Sequence, residues 1–111
     1  MPSIRIEAGA HLEGREGEVM RAVSEAACRP LSVALAQNDI VMTCRADGLR
    51  LVGEGRSERF CRVEIFMLAG RSGEQKAELR REIGRRLAAF GIADADLKLI
   101  AIDVPPENLG R

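Results

Sequence analysis

At 111 residues the chain has the length of one domain, and residues 1–111 are read here as a single unit. With 46% hydrophobic and 31% charged residues it is globular rather than disordered, and a formal net charge of 0 excludes a general basic surface for nucleic acid or acidic membranes. Aromatic residues make up 3%, with no Trp and no Tyr, which excludes a base-stacking platform.

The first residues lack the charged and apolar regions of a signal peptide, and no apolar run reaches the length of a membrane span. Cys28, Cys44 and Cys61 are odd in number and lack CxxC spacing, which suits a reducing compartment and a cytoplasmic location. His11 is the only histidine and no cysteine lies close to it in sequence, so no metal site is expected.

Along the chain, Ile4, Ile6 and Ala8 alternate with polar residues, the period of a half-buried strand. A turn region over 9–14 follows. Val19, Val23, Ala27, Leu31 and Leu35 then recur every four residues and predict a helix over 16–36, kinked or split at Pro30. Residues 40–45 read as a second strand. Asp47-Gly48 predicts a tight hairpin turn, with residues 49–52 as its return strand. The composition of 53–57, rich in Gly, predicts a mobile loop.

Residues 60–68 form the longest apolar strand signal. Ser72 and Gln75 have the spacing of a capping box ahead of a helix whose inward stripe is Leu79, Ile83 and Leu87, extended by Phe90. Gly91 stops that helix, residues 97–103 form the last strand, and Pro105-Pro106 ends it. Cys44 and Cys61 are placed on neighbouring strands as packing residues. His11 falls in a turn, where a solvated side chain is expected.

The chain repeats itself. Gly14-Arg15-Glu16-Gly17-Glu18 returns as Gly70-Arg71-Ser72-Gly73-Glu74, and at the same offset Val23 meets Leu79, Ala27 meets Ile83 and Leu31 meets Leu87. Two copies of Gly-Arg-x-Gly-Glu between strand and helix point to a duplicated β-α-β unit, over about 2–52 and 59–104. The expected fold is α+β: a four-stranded mixed sheet with both helices on one face. Nothing in the chain is left to cover the other face, which predicts a homo-oligomer.

Pro2 is the leading candidate for chemistry. A proline after the initiator Met permits removal of that Met, which leaves a secondary amine; a model α-amino group titrates at about 7.7–8.0. Burial or nearby arginines lower that value and make the neutral amine a general base near pH 7. With Met1 retained, the Pro2 nitrogen is an amide and has no basicity.

Pro2 at a strand start, the two Gly-Arg turns, the strand order and the Pro-Glu-Asn-Leu-Gly tail together resemble the tautomerase superfamily. Gly70-Arg71-Ser72-Gly73-Glu74-Gln75-Lys76 is similar to that family's Gly-Arg-Ser-x-Glu-Gln-Lys segment. The resemblance implies a homotrimer without cofactor, acting on a small keto or enol acid, with Pro2 moving the proton. It implies that Arg71, and Arg15 as its counterpart in the first half, bind the substrate carboxylate and stabilise the enolate. Asn38-Asp39 is similar to a segment of malonate semialdehyde decarboxylase, which implies a water-orienting or acidic role for Asp39. Departures from the decarboxylase-like pattern are Ala69, where a second arginine is expected, and Leu109, where the family tail often carries an aromatic. Two other readings stay open: a decarboxylase or dehalogenase on the same fold, and a non-catalytic ligand-binding oligomer, since ferredoxin-like domains share the element order.

Overall fold

The computed structural model describes residues 2–110. Four strands, β1 (Ser3–Gly9), β2 (Asp39–Arg45), β3 (Cys61–Leu68) and β4 (Leu97–Val104), and two helices, α1 (Glu16–Leu31) and α2 (Gly73–Ala88), follow in the order β1-α1-β2-β3-α2-β4. The sheet order is β2-β1-β3-β4. β1 is parallel to β2, β3 is parallel to β4, and β1 runs antiparallel to β3 down the middle. Ser3 lies beside Asp39 and Cys61 beside Leu97, the same sequence separation in each half. The expected mixed sheet with two helices is therefore present.

Period-two alternation sends Ile4, Ile6 and Ala8 of β1, and Cys61, Val63, Ile65 and Met67 of β3, beneath the helices. They meet Val19, Val23, Ala27 and Leu31 of α1 and Leu79, Ile83 and Leu87 of α2, all fully or almost fully buried. Each Val, Leu, Ile or Met side chain among them contributes roughly 1.5–3 kcal/mol by leaving water. The repeat partners Val23 and Leu79, Ala27 and Ile83, and Leu31 and Leu87 all belong to this layer.

The opposite sheet face is open in the single chain. One half of it carries charged pairs, Arg5 with Glu64 (3.2 Å) and Arg45 with Glu7 (3.1 Å). The register brings Phe66 beside Ile102 and Leu68 beside Val104 on the other half, with Ile100 one step along.

Several expectations from sequence need correction. The first helix ends at Leu31 rather than 36, because Ser32 turns left-handed (φ 54°) one residue after Leu31. Pro30, which cannot donate to the preceding turn, therefore sits in the last turn instead of splitting a longer helix. Residues 49–52 form no return strand. Asp47–Leu49 is a single 3₁₀ turn, and Gly48 has no positive φ, which a tight type I′ hairpin turn requires. The 53–57 loop is anchored: Arg56 donates to the carbonyls of Ala95 (2.9 Å) and Leu97 (3.1 Å), and Ser57 is held by buried Asp96. Cys44 and Cys61 are not on neighbouring strands, since β1 runs between β2 and β3.

Candidate active site

Pro2 is fully buried at the head of β1. Its carbonyl accepts a hydrogen bond from the Asp39 main-chain N–H (3.1 Å), which ties the start of β1 to the start of β2. Ser3 pairs with Asp39, so Pro2 lies across from Asn38. Pro2 is in phase with Ile4 and Ile6 and belongs to the helix side of the sheet. Asp39 is in phase with Ser3 and is exposed on the open side. The backbone thus brings Asp39 next to Pro2, while the two side chains leave on opposite faces.

Arg71 lies at the same pole. β3 runs antiparallel to β1, so its C-terminal end meets the N-terminal end of β1, with Phe66 beside Ser3. Gly70, at φ 126°, turns the chain there in a conformation that side-chain-bearing residues rarely adopt. Arg71 Nη1 then donates to the Leu68 carbonyl at the end of β3 (3.0 Å), and Nη2 donates to the Leu31 carbonyl at the end of α1 (3.0 Å). Gln75 adds a third link. Its Oε1 accepts from the Ser72 N–H (2.9 Å) and its Nε2 donates to the Pro30 carbonyl (3.2 Å). Ser72 Oγ accepts from the Gln75 N–H (3.1 Å) and completes the capping box. The Gly-Arg-Ser-x-x-Gln stretch therefore joins the start of α2 to the last carbonyls of α1. Among the described residues no carboxylate pairs with Arg71, so its charge is matched only by carbonyl dipoles.

Arg15 is at the other pole. It precedes α1, pairs with Glu18 (3.0 Å) and lies over the ring of Phe90 (4.7 Å to its centre). The seven residues of β1 separate it from Pro2, about 20 Å along the strand. One chain therefore gathers Pro2, Asp39 and Arg71 at one end and leaves Arg15 at the other.

Two residues that the sequence reading did not single out complete the Pro2 end. Asn38 Nδ2 donates to the carbonyl of Ser24 (3.0 Å) and to its Oγ (2.9 Å), and Ser24 is buried in α1. The available signal was the phase of Asn38 with Ile40 and Met42, which assigns it to the helix side.

The opposite pole holds His11, whose two ring nitrogens are buried without a hydrogen-bond partner among the described residues. The side chain is thus not the solvated one expected. Burial first, then the charges of Arg59 and Arg50, hold its pKa below the ordinary value of 6.5. Arg50 donates to the carbonyls of Glu58 and Phe60 and lies against Gly9, where a Cβ would meet its guanidinium. Burial pushes the Cys61 thiol up to about 12 and also raises Cys44, so neither is primed as a thiolate nucleophile. No cluster of three metal-binding side chains is present among the described residues.

The structure is similar to FG41 malonate semialdehyde decarboxylase inhibited by 3-bromopropiolate, at 22% identity and a TM-score of 0.87, covering 98% of this chain and 88% of that one. It is similar to native fused 4-OT at 18% identity and 0.86, covering 99% and 92%. It is also similar to Pt0534 inactivated by 2-oxo-3-pentynoate, at 19% identity and 0.88, covering 99% and 92%. At these identities the likeness shows the fold. No curated protein matches the sequence. The family described as tautomerase enzyme matches residues 33–110, most of the chain and all of it from the end of α1 through Arg71 to the tail, and the chain belongs to that family.

Proposed function

We propose that the protein is a cofactor-independent tautomerase of small keto or enol acids, with Pro2 as its general base once Met1 has been removed. The observation that carries this reading is the presence, at the same end of the sheet, of buried Pro2 and of Arg71, a cation held by two carbonyls and matched by no carboxylate among the described residues. In the forward step the neutral Pro2 amine takes the enol O–H proton. The O–H electrons form the C=O bond, the alkene electrons take a proton at carbon from the Pro2 ammonium, and the amine is regenerated. Arg71 binds the carboxylate and offsets charge that develops on the enolate oxygen. Its two carbonyl bonds use two of five guanidinium N–H groups and leave three for a substrate.

The active unit is a homotrimer. Structural neighbours include fused 4-OT proteins that form symmetric trimers, and the open sheet face with Phe66, Leu68, Ile102 and Val104 provides an apolar surface for a second copy. Arg15, remote from Pro2 in its own chain, acts on the site of a neighbouring subunit. The protein works in the cytoplasm.

A second reading is favoured by Asp39. Its exposed carboxylate beside the head of β1 is placed to orient water, which fits decarboxylation or dehalogenation on the same scaffold. One experiment separates a catalytic amine from an inert one. Chain shown by intact mass to lack Met1 is treated with 2-oxo-3-pentynoate and digested. Addition of the reagent to the N-terminal Pro2 peptide, lost in protein that retains Met1, supports the reading. An unmodified Pro2 peptide contradicts it.

A further inference from the structure

We propose that Asn38 is a positioning residue for Pro2, its side-chain carbonyl oxygen accepting a hydrogen bond from the Pro2 nitrogen after Met1 is removed. The inference rests on the reading of Pro2 as the base, and its test is independent of any substrate.

The orientation of the Asn38 amide is fixed by chemistry. Nδ2 faces the Ser24 main-chain carbonyl, which only accepts, so the nitrogen must be on that side and the oxygen on the other. That oxygen is buried and has no hydrogen-bond partner among the described residues. A buried acceptor left in this state costs about 1–3 kcal/mol and requires an explanation. The strand register supplies one. Pro2 lies across from Asn38, the next residue pair being Ser3 and Asp39, and both side chains occupy the helix side of the sheet.

While Met1 is attached, the Pro2 nitrogen carries no hydrogen and has nothing to donate. Removal of Met1 creates one N–H on the neutral amine and two on the ammonium. Processing therefore creates a donor at the residue opposite the orphan acceptor. The consequence for catalysis is directional. With its one N–H held by Asn38, the neutral amine turns its lone pair away from Asn38 and toward the substrate. In the ammonium, Asn38 keeps one proton and the other is the one delivered to carbon. Ser24 sets this geometry from α1 through the two bonds it accepts.

The other titratable or charged groups around this pole are Cys28 on α1 (Sγ 3.9 Å from Asn38 Nδ2), Asp39 on β2, Arg71 after β3, and Asp103 on β4 with its partner Lys76 (2.8 Å). All are unchanged in variants of Asn38, so their effects cancel in a comparison.

The test is a titration of Pro2 by nitrogen NMR in chain labelled with ¹⁵N-proline and shown by intact mass to lack Met1. Of the four prolines only Pro2 has a titrating nitrogen. An acceptor for the ammonium favours its charged form. Asn38→Ala therefore lowers the Pro2 pKa by about one unit, and Asn38→Asp, which keeps an acceptor and adds charge, raises it by about one unit. A packing role moves both variants in the same direction. Shifts of opposite sign support the assignment; two unshifted variants, or two shifted alike, overturn it. If Asn38→Ala fails to melt cooperatively, Asn38→Asp alone decides, a raised value supporting the assignment and an unchanged or lowered one overturning it. Shifts of opposite sign in a chain that turns over no enol acid uphold the contact and count against the catalytic reading instead.

Discussion

Arg71 and Leu31, forty positions apart, are joined by a 3.0 Å hydrogen bond from the guanidinium to the final carbonyl of α1. The same guanidinium holds Leu68 at the end of β3. A residue proposed to bind substrate is thus also a clamp between sheet and helix. Arg71→Ala is expected to cost about 1–2 kcal/mol of stability, read by urea unfolding, and at least about 10²-fold in turnover of an enol acid. Arg71→Lys keeps the charge, cannot reach both carbonyls, and restores only part of each loss. Full activity in Arg71→Ala would remove Arg71 from the site.

Asp96 anchors the 50–60 loop. Both of its oxygens accept from Ser57, from the N–H and from Oγ, each at 2.6 Å. These bonds hold its carboxyl below the ordinary value of 3.8. A depressed carboxylate contributes stability that is present above its ordinary value and is lost as pH falls through the folded value. Asp96→Asn should therefore lower the melting temperature near neutral pH and reduce the difference from wild type below about pH 3. An equal difference at both pH values would contradict this account.

His11 has the opposite sign. Its pKa in the folded chain lies below the ordinary value of 6.5, so on acidification the unfolded chain takes up the proton first. Stability is full above that value and falls as pH drops below it, until the folded state also protonates. Melting curves between about pH 7 and pH 5 should fall more steeply for wild type than for His11→Asn. Parallel curves would show that the histidine is solvated.

The capping box gives a local test. Ser72→Ala removes the acceptor for the Gln75 N–H and should cost about 1 kcal/mol, with Gln75→Ala losing the link to Pro30 as well. A double mutant whose loss equals the sum of the two would show that the residues act separately.

Much of this architecture was legible in the sequence because it depends on local periodicity. The Leu79-Ile83-Leu87 stripe, the Ser72 and Gln75 cap and the alternation of Ile4, Ile6 and Ala8 each follow from one element's own geometry. The β-α-β order followed from the repeated Gly-Arg turns. What was not legible depends on register between strands. The pairing of Ser3 with Asp39 puts Asn38 beside Pro2, and no spacing within one strand reveals that neighbour. The absent return strand has the same origin. Asp47-Gly48 has hairpin composition, yet the segment after it is tied by Arg50 to Glu58 and Phe60 instead of pairing with β2. The end of α1 at Leu31 was hidden because Leu35 continues the apolar spacing past Pro30, into a separate 3₁₀ turn over Leu35–Gln37. Arg15 was paired with Arg71 by sequence, but the antiparallel centre of the sheet sends the two to opposite poles.

The most direct measurement of the central claim is the ketonisation of phenylenolpyruvate and 2-hydroxymuconate, followed by ultraviolet absorbance with chain confirmed to lack Met1. Wild type should turn over at least one of them, with Pro2→Ala slower by about 10²-fold or more. An inactive processed wild type, or a Pro2→Ala variant as fast as wild type, would contradict the assignment of Pro2 as the base.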